Sequence, residues 1–209
     1  LHACGSYECP NVRVRSSVLA TNTPPNGAFR GFGAPQTLFA VELHMEKIAE
    51  TIGIDSLELR RRNVFKVGSV TATKQTLLES VGASEALESC VKRSGYAKKR
   101  KQYALWNKSK KNPTWKGMGL SLCHHGAGFT GSGEVYLASR AGVALTRDGR
   151  LYALAASTEI GQGTNTMFSQ IVSDVLGVPG DWIIVETPDT AKVPNSGPTV
   201  ASRTTMIVG

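Results

Sequence analysis

Helical and strand-like periodicities alternate along the 209 residues, and the pattern predicts a mixed fold of helices and strands. Three observations carry that prediction. Leu38, Phe39, Val41, Met45, Ile48, Ala49 and Ile52 recur at i, i+3 and i+4, the spacing of an amphipathic helix. Two short apolar runs, 143–146 and 151–155, flank Arg147-Asp148-Gly149-Arg150, the signal of a β-hairpin. Glycine-rich or small-residue loops stand at four junctions between such elements, two of them carrying phenylalanine.

In chain order, residues 7–21 alternate loosely (Val12, Val14, then Val18 with Leu19) and read as extended. Thr23-Pro24-Pro25-Asn26-Gly27 breaks that run and leads into Ala28-Phe29-Arg30-Gly31-Phe32-Gly33-Ala34-Pro35-Gln36. Pro35 suits a first helical turn, and Gly53 a left-handed cap at the far end of the helix. Asp55-Ser56-Leu57-Glu58 has capping-box spacing and opens a second helix through Arg62. Residues 66–75 are loop-like. A short helix follows over 84–94, then a basic connector, helical in part, that ends near Asn112-Pro113. Strand patterning begins just beyond, so the predicted subdivision is 1–112 and 113–209.

Residues 116–123 read as a strand, and 126–133 form a glycine loop around Phe129 and Thr130. The hairpin leads to Thr158-Glu159-Ile160-Gly161-Gln162-Gly163 and then to a helix over 164–176, closed by Gly177. A strand follows over 182–185. Pro194-Asn195-Ser196-Gly197-Pro198 then enters Thr199 to Thr205, which heads another helix.

Composition narrows the class. Hydrophobic residues make up 41% and charged residues 19%, ordinary values for a globular chain, and no apolar run is long enough to span a bilayer. No charged head with an apolar run and cleavage site opens the sequence, so neither secretion nor a membrane partner is expected. The first residue is Leu1 and the last four are apolar or glycine, and the chain is expected to be cut from something longer. Cys4 and Cys9 have the first spacing of an iron–sulfur loop, but no Cys-x-x-Cys follows; free thiols in a reducing cytoplasm fit better. Cys123-His124-His125 puts adjacent side chains on opposite faces of a strand, which disfavours a shared ion.

The net charge of +8 is local. Between Glu88 and Glu134 no acidic residue occurs, while ten basic ones do, from Lys92 to Lys116. With Tyr103, Trp106 and Trp115 interleaved, this stretch could grip nucleic acid or an acidic partner without any catalysis. Such runs are more often solvated helix faces or docking surfaces for a partner subunit, and no nucleic-acid partner is expected.

The glycine loops point to chemistry. Glycine lets backbone approach a ligand closely, and phenylalanine offers a flat apolar wall. The alternative is that these rings merely plug the core. A glycine turn ahead of the helix over 164–176 leaves unpaired N–H groups at its N-terminus, suited to anionic or electron-rich oxygens. No Gly-Lys-Ser/Thr is present, so it is not a phosphate loop. Together the loops suit a large, flat, oxygen-rich cofactor held by main-chain amides.

These loops resemble the molybdenum-binding subunit of the xanthine dehydrogenase and aldehyde oxidase family, in order and spacing and across nearly the whole chain. The pattern around Pro194 is more similar to the xanthine dehydrogenase branch. The resemblance implies an α+β fragment of the molybdopterin-binding domains, with the end of one lobe in 1–112, the start of the second in 113–209, and a site in the crease between them. It implies hydroxylation of a small N-heteroaromatic, xanthine- or purine-like substrate, with water as the oxygen source. Molybdenum–molybdopterin, as mononucleotide or dinucleotide, would be the cofactor; 2Fe-2S and FAD would lie in partner domains or subunits, with the rest of the molybdenum subunit completing the enzyme in the cytoplasm.

By position, the backbone at Arg30 and Gly31 would approach the metal's oxygen and sulfur ligands. Gln162 would donate its amide to a metal oxo group. Ile160, Gly161, Ala201, Ser202 and Thr204 would line the pterin and its phosphate. Phe32 and Phe129 would sandwich the substrate ring, and Thr130 would bond a polar substituent. No direct metal ligand is implied, since the dithiolene belongs to the pterin.

The departures matter equally. The family's general base is a glutamate in a Gly-Glu-Pro motif, and none occurs here; Glu134 and Glu159 stand in other contexts. The earlier glycine-rich loop is absent, and a substrate-binding arginine would fall before Leu1. The chain is therefore expected to hold no catalytic residue of its own and to be inactive alone.

Overall fold

The computed structural model describes residues 2–129 and 132–209 and divides into two compact units, Leu1–His125 and Gly126–Gly209. Thr130 lies outside the described residues.

The first unit is built on α1 (Ala34–Ile52), with Pro35 in its first turn and Gly53 in the left-handed conformation at its end. One face of α1 buries Leu38, Met45 and Ala49, whereas Phe39 and Ile52, on the edge of the same stripe, remain exposed. In α2 (Ser56–Asn63), Asp55 caps the N-terminus by accepting the N–H groups of Leu57 and Glu58 at 3.0 and 3.3 Å. Glu58 does not complete the reciprocal box; its carboxylate pairs with Arg62 one turn on. Two further helices, α3 (Ala83–Ser94) and α4 (Tyr96–Lys108), meet at the left-handed Gly95. Leu87 and Tyr96 anchor them in a core shared with Tyr7, Met45, Leu57 and Leu122. Burying one such leucine contributes about 2 kcal/mol.

The extended reading of 7–21 holds only as backbone without partners. Tyr7 makes one bridge to Val64, and residues 10–30 are exposed without a ladder. Residues 116–123, predicted as a strand, also form none. Their apolar side chains do pack: Met118, Leu120 and Leu122 lie against the core of the first unit, so the compact units divide beyond the composition shift at Pro113.

In the basic stretch, Lys116 places its ammonium 3.6 Å from the centre of the Trp106 ring, and Arg100 pairs with Asp55. Among the described residues no helix is long and apolar enough to cross a membrane, and no His, Cys, Asp and Glu side chains cluster as metal ligands. His124 and His125 instead flank His2, each at 5.5 Å between ring centroids.

The second unit opens with α5 (Gly133–Leu137), a short helix the sequence does not announce. The hairpin of β1 (Gly142–Leu145) and β2 (Leu151–Leu154) closes in the register Leu145↔Leu151, with Gly149 left-handed in the turn. From β2 the chain passes through α6 (Thr164–Leu176) to β3 (Ile183–Val185), which pairs parallel to β2. Phe168 of α6 packs with Ala155 and Val208. The stretch expected to open a helix after Thr199 makes a single π turn, Thr204–Val208. Helices with a small mixed sheet make the fold α+β, as the resemblance implies.

Candidate functional site

The β2–α6–β3 crossover places its glycine loop at the carboxyl end of β2, where open α/β layers receive ligands. Beside it, Gln162, Gly163, Thr164 and Met167 face Ser202, Thr204 and Thr205 across a cleft of about 200 Å³. Three residues expected on the cofactor, Gln162, Ser202 and Thr204, therefore line one cleft, although 40 residues separate Gln162 from Ser202 in sequence. Every polar side chain in it is a neutral hydroxyl or amide. That donor set fits an oxygen-rich cofactor, because it orients oxygens without adding charge.

The glycine loop is internally bonded. Glu159 folds over the start of α6, and its carboxylate accepts the N–H groups of Gly161 (2.7 Å), Gly163 (3.1 Å) and Asn165 (3.1 Å). These amides, Asn165 first, hold the Glu159 carboxyl below its ordinary range. Gln162 folds inward too: Nε2 donates to the Thr158 carbonyl and Thr164 Oγ1, both at 2.7 Å, and Oε1 accepts the Ile160 N–H at 2.7 Å. Ile160 itself is exposed.

Ala201 and Ser202 both adopt φ of +54°, a region costly for residues with a Cβ. The Ala201 carbonyl accepts the Gly128 N–H at 2.8 Å, which ties the turn to the loop that carries Phe129. Gly128 suits this turn because its φ of +77° is one that residues with a Cβ rarely adopt. Phe129 is partly exposed, and its N–H donates to Glu134 Oε1 at 2.8 Å.

Arg30, Gly31 and Phe32 belong to the first unit. Gly31, Phe32 and Gly33 are left-handed in succession, and a Cβ on Gly31 would sit 2.7 Å from Pro35 Cδ. The Phe32 N–H is taken by the Phe29 carbonyl at 2.8 Å, and no acceptor among the described residues takes those of Arg30 or Gly31. Phe29 and Phe32 are both exposed, so neither ring plugs the core.

Sequence reasoning missed three contributors. Glu159 is an acceptor two and four residues ahead of paired glycines, a cap-like spacing that could have been read. Arg203 is the only charged residue between Thr199 and Thr205, and it is fully buried against Glu134. Glu134 and Glu159 are both spent on backbone N–H groups and held ionised, and neither suits a general base.

Known proteins share this architecture. A family model described as a molybdopterin cofactor-binding domain matches residues 89–209, and a second of the same description matches residues 1–64. The chain is 36% identical over 205 residues to xanthine dehydrogenase of Drosophila pseudoobscura pseudoobscura, covering 96% of this chain and 15% of that protein. It is 34% identical over 212 residues to xanthine dehydrogenase/oxidase of Felis catus, covering 100% of this chain and 15% of that one. It superposes on aldehyde oxidoreductase from Desulfovibrio gigas with a TM-score of 0.82 at 32% identity, over 96% of this chain and 21% of that chain. The chain thus spans 15% of the length of each of these two curated relatives. Both halves of the chain lead to one assignment: this chain belongs to the molybdopterin cofactor-binding domain family.

Proposed function

We propose that the chain forms part of the cofactor and substrate walls of an enzyme that hydroxylates a small N-heteroaromatic ring, xanthine- or purine-like. In this reading 1–112 ends the first pterin-binding lobe and 113–209 begins the second. The observation that carries it is the convergence of Gln162, Ser202 and Thr204 on one neutral, hydroxyl-lined cleft.

When bound, the molybdenum–pterin group supplies two-electron oxidation of a ring carbon, with the new oxygen taken from water. The residues of this chain hold and orient. Ser202 and Thr204 offer hydroxyls to the pterin and its phosphate, with Ile160, Gly161 and Ala201 supplying adjoining backbone. Arg30 and Gly31 offer N–H groups that no described residue accepts. Rotation of the Gln162 side chain away from Thr158 and Thr164 frees its amide to donate into the cleft. Phe32 and Phe129 give flat apolar faces for a ring, and Thr130 a hydroxyl for its substituent. The proton acceptor comes from another part of the enzyme, as do the 2Fe-2S and FAD groups that take the electrons, in a cytoplasmic assembly.

The complete enzyme, incubated with xanthine, nicotinate or an aldehyde in oxygen-18 water, tests the reading. Label in a hydroxylated heteroaromatic product is the expected result. Product oxygen drawn from dioxygen, or turnover of aldehydes alone, would overturn it.

A further inference from the structure

Arg203 is 0% exposed, and what its side chain grips is protein. Nε donates to Glu134 Oε2 at 2.9 Å, and Nη1 donates to the carbonyls of Ser196 at 3.0 Å and Pro198 at 3.2 Å. Nη2 is buried and has no acceptor among the described residues. The other oxygen of Glu134 accepts the Phe129 N–H. Ser139 donates to the same Ser196 carbonyl at 2.6 Å. One guanidinium therefore joins the phenylalanine loop, the 196–198 turn and the strained Ala201-Ser202 turn from which it projects.

Stability alone does not account for that arrangement. A buried ion pair rarely gains over an apolar pair of similar volume, because desolvation offsets the attraction. What the pair provides is direction: a planar fork fixes several acceptors at once, and a bridging carboxylate fixes a backbone amide. Two successive non-glycine residues at positive φ persist only when their surroundings over-determine them. The Gly128–Ala201 bond and the Arg203 fork supply that constraint.

We propose that Arg203 and Glu134 are positioning residues that lock Phe129, a wall for the substrate ring, to Ala201 and Ser202, a wall for the cofactor. The lock itself stands on the bonds above; what the two walls hold rests on the function proposed for the site. A substrate ring would then meet Phe129 at a distance set by the cofactor turn rather than by a free loop.

Glu134→Gln and Arg203→Lys in the complete enzyme test this. Glutamine can keep its bond to Phe129 or to Arg203 Nε with its one carbonyl oxygen, and lysine lacks the fork. Hydrogen–deuterium exchange over 126–137 is expected to quicken about tenfold in both variants, the loss of one charge-assisted bond. In Glu134→Gln, pterin content should stay at the unsubstituted level while KM for the heteroaromatic rises about tenfold and kcat changes less. Unchanged exchange in Glu134→Gln overturns the lock, and it decides the matter if Arg203→Lys fails to fold. Faster exchange with unchanged KM and pterin content overturns the positioning role and leaves a purely structural pair. If the unsubstituted enzyme holds no pterin or turns over no heteroaromatic, the proposed function fails, and the exchange comparison still judges the lock.

Discussion

Arg60 lays its guanidinium against Glu42 inside the apolar face of α1, with Nε 3.1 Å and Nη2 3.0 Å from the same carboxylate oxygen. Glu42 is also the meeting point of its unit. It accepts the Tyr7 hydroxyl at 2.6 Å and the Leu122 N–H at 2.9 Å, while Arg60 reaches Glu46 at 2.7 Å. Burial, with Glu42 beside it, drives the Tyr7 phenol well above its ordinary range, so the bond is donated at every physiological pH. Glu42→Gln would take away the buried counter-charge of Arg60 and leave it only the half-exposed Glu46. The expected cost is about 3 kcal/mol, read as a lowered urea midpoint, because removing one partner of a buried pair exposes the other's desolvation. A change under ~1 kcal/mol would mean that water reaches Arg60.

Glu159 makes a prediction with a sign. Its carboxyl is held below the ordinary range, chiefly by the N–H groups of Asn165 and Gly163. A group with a depressed folded value contributes stability above its unfolded value and loses it as pH falls through the folded one. The 159–165 loop should therefore stay closed through neutral and mildly acid pH. It should open only below the ordinary glutamate value of about 4.3. Amide shifts of Gly161 and Gly163 should titrate there, and Glu159→Ala should abolish the transition. A titration near pH 6 to 7 would assign the loop to another group.

The legible parts of the fold were those decided locally. The α1 stripe and Gly53, the Asp55 cap, the Gly177 stop of α6 and the Gly149 hairpin all stand where spacing put them, because turn and cap geometry is set within a few residues. The failures are tertiary. Residues 116–123 have strand composition but spend it on packing against α1, and no edge among the described residues pairs with 10–30. Glu42 was readable in hindsight: it lies in phase with Leu38, Met45 and Ala49, where a charge demands a buried partner. The cleft was only half legible. Motifs named Gln162 and Ser202, but the bond of Glu134 to Phe129 depends on a fold that no spacing reveals.

Phe32 combines strain with exposure. Its φ is +47° and the residue is 82% exposed, so the chain bears a conformational cost for a side chain that packs on little of its own unit. Phe32→Gly should stabilise the chain by up to about 1 kcal/mol, the relief of left-handed strain less the added entropy of glycine. In the complete enzyme the same change should raise KM for the heteroaromatic. Thermal melting and steady-state kinetics on one preparation would check both. Destabilisation would show that the ring holds the loop, and an unchanged KM would remove Phe32 from the substrate wall.

Gln162→Glu separates holding from donating. The substitution is isosteric and keeps an oxygen for the Ile160 N–H, but it gives up both bonds donated to Thr158 and Thr164. A carboxylate facing the Thr158 carbonyl is repelled, whereas the Thr164 hydroxyl can turn to donate to it, so the loop should lose about 1 kcal/mol for the Thr158 bond. If the amide also turns into the cleft to stabilise charge on a reacting oxygen, removing that donor should lower kcat about a hundredfold, the usual scale for one aimed donor. Melting temperature and kcat, measured on enzyme with equal pterin content, distinguish the two roles. A stability loss with unchanged kcat would confine Gln162 to bracing the loop, since a donor needed only in the transition state acts on the rate and leaves the resting fold alone.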